Sequence, residues 1–309
     1  MKRIAYVLLA VGLFWTGQLR AESVAARPFL WRIDGPKPSY VFGSIHLPSK
    51  EVTQLAPPVE KALTEADAVY CELAFDAATI TKIATAVQNP AKPLSQVLPA
   101  DLYACADAAL QRIAPTLRVK MFEKTEVWVL ATQLMMLEEQ LKAPTTPPLD
   151  LMIYQRAQAA GKQVGGIETA EEELQAMNSF AEAEQVDMLR ATLDEMDAAQ
   201  KLGQTCSGQL LSAYLSGDLD VVERYASKMM ARYSPASRKR FEETLLAERN
   251  QRMADRIREK LRAAPGKSQL FVIGALHFTG KGNVLELLQQ AGLKIERVSD
   301  RLKAQPISP

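Results

Sequence analysis

The sequence predicts an α/β fold, with a central β-sheet and a large all-helical insertion between its strand groups. Three observations predict it. Short apolar runs rich in aromatic and β-branched residues alternate with helix-forming stretches at both ends of the chain. Between about residues 77 and 264 the strand-like texture is broken by helix everywhere except at 163–168. At 309 residues, 48% apolar and 24% charged, the chain is long enough to bury a substantial core and has ordinary globular composition. We expect one domain over residues 22–309, with helical insertions at about 77–160 and 170–264.

The first residues stand apart from that fold. Lys2 and Arg3 precede an apolar run over 4–15, and Leu19-Arg20-Ala21 resembles the small-residue exit of a secretory signal peptide. The run is shorter than the ~20 residues a membrane span needs, so we expect cleavage after Ala21, a periplasmic or secreted product and no stable membrane insertion. No cysteine at the exit invites a lipid anchor. Without Lys2, Arg3 and Arg20 the 37 basic residues become 37 − 3 = 34 against 36 acidic ones. That near-neutral balance argues against a nucleic-acid partner.

In chain order, runs 29–33 and 39–42 read as a β-hairpin, because Asp34-Gly35-Pro36-Lys37-Pro38 between them is turn chemistry. A helix over about 58–66 precedes a third strand at 67–73. Ala, Leu, Gln, Glu and Met then dominate through Leu141, with helices expected near 100–112 and 123–141. After the proline-rich break at 143–148, a helix over 149–160 ends at Gly161-Lys162. A fourth strand at 163–168 leads to a helix that Thr169 can cap, with Glu171 and Glu172 where the helix dipole favours carboxylates. Val186, Leu189, Leu193 and Met196 step by three, four and three, which marks an amphipathic face. Residues 238–263 read as one long helix stopped by Ala264-Pro265-Gly266. A strand at 269–273, a helix at about 284–291 and a closing strand at 294–298 complete the pattern.

Cys71, Cys105 and Cys206 are an odd number for an oxidising compartment. One disulfide and one buried thiol is the simplest arrangement, and we expect Cys105 to pair with Cys206. The absence of C-x-x-C spacing argues against a zinc cluster. Cys71 alternates with Glu72 along its strand and is expected to face the other side of the sheet, away from any chemistry Glu72 serves.

Both histidines of the chain, His46 and His277, end apolar runs in the pattern G-x-x-H, at Gly43-Ser44-Ile45-His46 and Gly274-Ala275-Leu276-His277. If the two runs are neighbouring strands, both imidazoles emerge at one sheet edge. Glu72 and Glu168 also close strands, so four ligand-type side chains can meet beyond the carboxyl ends, where α/β sheets gather ligands. Each has a plainer use. A strand-end histidine commonly serves as a hydrogen-bonding residue, Glu72 as a solvated strand end, and Glu168 as a stabiliser of the next helix N-terminus. Two histidines in matching contexts favour function, because histidine is the commonest metal ligand and general base.

The two histidine motifs, with Cys71-Glu72-Leu73, resemble the TraB/PrgY/GumN family, which includes the Tiki proteins. Leu149-Asp150, Ala157, Gly161-Lys162 and Gly166-Ile167-Glu168-Thr169 are similar to the family's D…A…GK…LET segment, with Ile167 in the leucine place. Glu248-Arg249-Asn250 with Met253-Ala254 resembles its ERN…MA helix. The resemblance extends over about 28–298. It implies an α/β core with a helical insertion and, from the Tiki members, divalent-metal-dependent protease activity on a peptide or protein substrate. It nominates His46, His277 and Glu72 for the metal, with Glu168, Asp150, Arg249 and Asn250 at further family positions. Asn283 departs from the pattern, standing where the family commonly has a second glycine after His277; Asn tolerates a left-handed backbone there.

The chemistry so implied is hydrolysis. His46 and His277, with Glu72 or Glu168, would hold Mn(II), Co(II) or Zn(II) with a position open to water, a remaining carboxylate would act as general base, and Arg249 would face the oxyanion. No H-E-x-x-H helix is present. The competing expectation is a non-catalytic exported binding protein that uses the same pocket for a peptide, a saccharide or a haem-like ligand. A purely structural helical scaffold leaves the matching histidine motifs unexplained.

Overall fold

The computed structural model describes residues 27–88 and 92–298, so the expected signal peptide lies outside the described residues. All six expected strands form: β1 (Leu30–Ile33), β2 (Ser39–Ser44), β3 (Ala68–Cys71), β4 (Gln163–Gly166), β5 (Gln269–Gly274) and β6 (Ile295–Arg297). They join in one mixed sheet of order β4-β3-β5-β2-β1-β6. Strands β4, β3, β5 and β2 are mutually parallel, whereas β1 runs antiparallel to both β2 and β6. The hairpin places Leu30 opposite Phe42 and Ile33 opposite Ser39. Strand β5 lies between β2 and β3, pairing Ser44 with Gly274 and Cys71 with Val272.

Central parallel strands need cover on both faces, which is why Leu270-Phe271-Val272-Ile273 is apolar without alternation. On one face Val69, Cys71, Leu270 and Val272 pack with α2 (Pro57–Glu65) and α7 (Leu149–Ala159), after the short α1 (Lys50–Thr53). On the other, Tyr70, Phe271 and Ile273 pack with Met253, Ala254 and Ile257. Cys71 and Glu72 take opposite sides as their alternation requires. The Cys71 thiol approaches the Asp150 carbonyl at 3.7 Å.

The insertions are helical as expected. The first carries α3 (Ala77–Ala86), α4 (Leu94–Val97), α5 (Ala100–Ile113) and α6 (Val127–Lys142) before α7. The second carries α8 (Ala170–Asn178), α9 (Glu182–Lys201), α10 (Cys206–Leu215), α11 (Leu219–Met230), α12 (Pro235–Arg240) and α13 (Glu248–Ala263). Leu102, Leu110, Leu130 and Leu134 meet Val186, Leu189, Leu193 and Met196 in a separate apolar cluster, so the face read from the sequence is the packing face of α9. Helix α14 (Val284–Gln290) precedes the closing strand. Among the described residues no helix is long and apolar enough to cross a membrane.

Four details differ from the sequence reading. Strands β3 and β4 end at Cys71 and Gly166, which leaves Glu72 and Glu168 just beyond their hydrogen-bonded ends. The expected long helix starts earlier, at Pro235, and a π-helical stretch, Phe241–Ala247, joins α12 to α13. Asn283 is not left-handed (φ −70°) and instead caps α14 by accepting from Glu286 N; Gly280 and Gly282 take the positive φ. The Cys105–Cys206 pairing is not made, and all three cysteines are free. Cys105 is exposed on α5, whereas Cys206 is buried at the start of α10, where burial pushes its thiol up to about 12. Cys71, buried beside Asp150 and Glu72, is also raised, so neither buried cysteine is a ready thiolate.

Leu270 in β5 is fully buried under α7, so Leu270→Ala is expected to cost about 2–5 kcal/mol. The measurement is a denaturant titration, with a lower midpoint at unchanged slope.

Candidate functional site

Because β2, β5, β3 and β4 run parallel, their carboxyl ends open on one sheet edge. His46 follows β2 by two residues, Glu72 directly follows β3, Glu168 follows β4 by two, and His277 sits in the 3-10 turn Ala275–Phe278 after β5. The structure therefore brings all four strand-end residues to that edge. The two G-x-x-H motifs are not superposed in register, because Gly43 pairs with Ile273 while Gly274 pairs with Ser44. The chain after β2 stays extended and the chain after β5 coils back. That difference sends the imidazoles toward each other across Gly274.

Gly274 has an ordinary negative φ (−54°), so its requirement is space. A Cβ there would lie 3.0 Å from Glu72 Oε1, 3.4 Å from His46 Nε2 and 3.9 Å from His277 Cδ2. Its backbone N–H donates to Glu72 Oε1 at 2.5 Å. His46 Nε2 stands 3.7 Å from that same oxygen. The carboxylate of Glu72 is thus the centre of the cluster.

Each histidine is oriented through its Nδ1. Asn250 Nδ2 donates to the Gly282 carbonyl at 3.1 Å, which turns Asn250 Oδ1 toward His277 Nδ1 at 2.6 Å. An amide oxygen only accepts, so His277 carries its proton on Nδ1 and leaves a lone pair on Nε2. His46 Nδ1 is 2.8 Å from Asp150 Oδ2 on α7, a carboxylate–histidine contact that fixes the other ring in the same sense. Their electrostatics differ. Burial, with Arg249 and His46 nearby, lowers His277 to about 4 against the pull of Glu72. Desolvation opposes charge on His46 too, but Asp150 and then Glu72 outweigh it and raise its pKa well above the usual value. His46 is also the open side of the cluster, with a side chain 51% exposed, while Glu72, Glu168, Asp150, Arg249, Asn250 and His277 are buried.

Helix α13 supplies the cations. Arg249 donates from Nε and a terminal nitrogen to Glu168 Oε2 at 2.9 and 2.7 Å, and from that terminal nitrogen to Glu72 Oε2 at 2.7 Å. One turn on, Arg252 reaches Glu168 Oε1 with two donors at 2.9 and 2.7 Å. Arg256 continues the row to Glu172 and the Ile167 carbonyl. Both Glu168 oxygens are therefore held by guanidinium groups, and Arg249, expected at an oxyanion, is committed to two carboxylates. Burial alone would raise Glu72, yet His46, His277 and Arg249 hold it well below the usual carboxylate range.

The donor chemistry suits a divalent ion: two imidazole Nε2 atoms with anchored rings and one ionised carboxylate, around a glycine that keeps the space clear. Asp150 Oδ1 and Ser44 Oγ, both buried, have no hydrogen-bond partner among the described residues. Among the described residues no three His, Cys, Asp or Glu side chains are already drawn into a metal-holding group. Glu72 is held toward Gly274 N and Arg249 in this arrangement.

Three participants had no role in the sequence reading. Arg252 was hidden in a charged helix. Asn250 had a family position but no function, and it proves to orient His277. Glu173, in the first turn of α8, is half-buried between Ala170 and Ala176, and burial pushes its carboxyl up to about 7; Arg249 opposes that rise and Glu72 reinforces it. Its position three residues from each buried alanine was the available signal.

His277 supplies a pH test. Its folded pKa lies below the unfolded value of ~6.5, so its stabilisation is present above pH ~6.5 and is lost as pH falls to about 4. In chelator-treated protein, His277→Gln should flatten the pH dependence of unfolding free energy in that window by about 3 kcal/mol. An unchanged slope in urea titrations would mean that the ring is not held neutral.

The chain matches the model of the TraB/PrgY/gumN family over residues 29–297. Metalloprotease TIKI2 of Danio rerio is 28% identical over 312 residues, covering 87% of this chain and 60% of that protein. Metalloprotease TIKI1 of Homo sapiens is 28% identical over 320 residues, covering 90% of this chain and 63% of that protein. The metalloprotease TIKI homolog of Nematostella vectensis is 25% identical over 315 residues, covering 87% and 67%. The chain thus spans about 60% of the length of the first two relatives. No solved structure matches it significantly. Because the family model runs from Phe29 to Arg297, through all six strands and the helices between them, the chain belongs to the TraB/PrgY/gumN family.

Proposed function

We propose that this protein is an exported, divalent-metal-dependent peptidase acting on a peptide or protein substrate. The observation that carries this reading is the pair of imidazoles fixed through Nδ1, by Asp150 and Asn250, so that His46 Nε2 and the Cδ2 edge of the His277 ring border one space over Gly274. The names of the relatives support it, as they are metalloproteases. His46, His277 and Glu72 would hold the ion, with Mn, Co and Zn as the candidates for nitrogen-and-oxygen donors. A bound ion would supply Lewis acidity toward a peptide carbonyl and its hydrolytic water.

The remaining residues have positioning tasks. Asp150 and Asn250 set the tautomers. Arg249 and Arg252 fix Glu168, and Arg249 in turn keeps Glu72 ionised and directed at the cluster. The exposed flank of His46 is the side from which a peptide would enter.

The test pairs calorimetry with cleavage of a mixed peptide library. Wild type should bind one equivalent of Mn(II), Co(II) or Zn(II) and cleave only when loaded. His46→Ala and His277→Ala should each lose the stoichiometric site, and Glu72→Gln should lower turnover by about 10²–10⁴-fold. Unchanged metal binding in both histidine variants, or peptide binding without any turnover, would sink the peptidase reading.

Export is supported by Lys2 and Arg3, the apolar run 4–15 and Leu19-Arg20-Ala21. The mature N-terminus read by Edman degradation should be Glu22. A mature chain that retains Lys2 and Arg3 contradicts cleavage.

A further inference from the structure

The two histidine motifs interlock through their glycines. A Cβ on Gly274 would lie 3.4 Å from Nε2 of His46, the histidine of the other motif. Conversely, a Cβ on Gly43 would lie 2.7 Å from Phe29 Cβ and 3.2 Å from the ring of Phe278, the residue after His277. Each glycine makes room for the end of the opposite motif. Phe278 also meets Trp31 with ring centres 5.0 Å apart, so β1 and the turn after β5 both close on Gly43. The placement of Gly43 therefore bears on both imidazoles.

At Gly43 the ladder between β1 and β2 runs out. Gly43 N donates to the Phe29 carbonyl at 2.7 Å, one half of an antiparallel hydrogen-bonded pair. The other half is not made. Leu30 N closes on the Pro28 carbonyl at 2.8 Å, the chain turns at Phe29, and among the described residues Phe29 N makes no return bond to the Gly43 carbonyl. That carbonyl accepts instead from the Tyr214 hydroxyl at 2.7 Å. Tyr214, half-buried near the end of α10, sets its ring edge-on to Phe29 at 5.3 Å. Its helix is anchored at both ends: Tyr225 OH on α11 donates to the Cys206 carbonyl at 3.0 Å, and Arg297 of β6 donates to the Gly217 carbonyl at 2.7 Å. The second helical insertion thus reaches back to the strand that delivers His46.

We infer that Tyr214 is a positioning residue of the proposed metal centre: by supplying the last hydrogen bond of β2, it sets where His46 leaves the sheet relative to His277. This role rests on the metal-dependent reading above, and Tyr214 itself touches neither ion nor substrate. The hydroxyl is the operative group. Phenylalanine keeps the packing on Phe29 and removes only the bond to Gly43, and a carbonyl in the protein interior does not stay without a donor. The end of β2 then shifts to find one, and His46, three residues on, moves with it.

The experiment uses the full mature chain and compares Tyr214→Phe with Tyr225→Phe. The second variant loses the same kind of bond, from a tyrosine hydroxyl to a backbone carbonyl, at the other end of α10. Both should fold and lower the urea midpoint slightly. Only Tyr214→Phe is expected to weaken Mn(II) binding in calorimetry, by about 10-fold. Peptide turnover, read as kcat at saturating substrate, should fall in that variant with KM unchanged. A further measurement needs neither metal nor turnover. The chain has two histidines, so ¹⁵N-histidine NMR of metal-free protein gives two sets of ring signals, assigned with His277→Gln. The His46 set should shift or broaden in Tyr214→Phe and match wild type in Tyr225→Phe. Unchanged His46 signals in Tyr214→Phe overturn the inference, as does an equal loss of Mn(II) affinity in Tyr225→Phe. If wild type binds no Mn(II), the metal-dependent reading fails, and the His46 signals still decide whether Tyr214 positions that ring.

Discussion

The arrangement depends on one ionic contact, the guanidinium of Arg249 placed between Glu72 and Glu168. Two buried carboxylates at adjacent strand ends repel each other and lose solvation, which neither tolerates alone. Arg249, with Arg252 on the next turn, compensates both. In doing so it ties the ends of β3 and β4 to α13 and fixes where the carboxylate of Glu72 points. Loss of one partner from such a buried set leaves an uncompensated charge and costs about 3–5 kcal/mol, so geometry and stability are set by the same contact.

The same contact explains a division of labour among residues of one chemical type. Glu168 is wholly enclosed, with both oxygens held by guanidinium groups, which suits an anchor. Glu72 is anionic but keeps one oxygen toward His46 and Gly274, which suits a ligand. At Glu173 burial outweighs the pull of Arg249, and its carboxyl rises. The histidines divide similarly: His277, deep and beside Arg249, stays neutral, whereas His46, at the open side between Asp150 and Glu72, holds its charge more readily. Environment, more than residue type, assigns the tasks.

Much of this was legible in the sequence for a simple reason. A parallel sheet sends its strand ends to one edge, so residues that follow apolar runs converge even when 231 positions separate them (277 − 46 = 231). His46, Glu72, Glu168 and His277 could be read that way without a local motif. The hairpin followed from Asp34-Gly35-Pro36-Lys37-Pro38, and the α9 packing face from the spacing of Val186, Leu189, Leu193 and Met196. What escaped depended on helix phase and tertiary distance. Seven π-helical residues before Glu248 alter the phase that brings Arg249 and Arg252 to the carboxylates, and such a stretch has no period to detect. Glu173 was masked by its two acidic neighbours, and the cysteine pairing failed because helical location alone does not say which way a side chain faces.

The central claim is that His46 and His277 share one divalent ion. It is tested most directly by diffraction from Mn(II)-loaded crystals at a wavelength that isolates manganese. The account predicts a single anomalous peak in contact with Nε2 of both histidines and with Glu72, and no such peak in His277→Ala. A peak elsewhere on the chain, or one bound to only one of the two imidazoles, would contradict it.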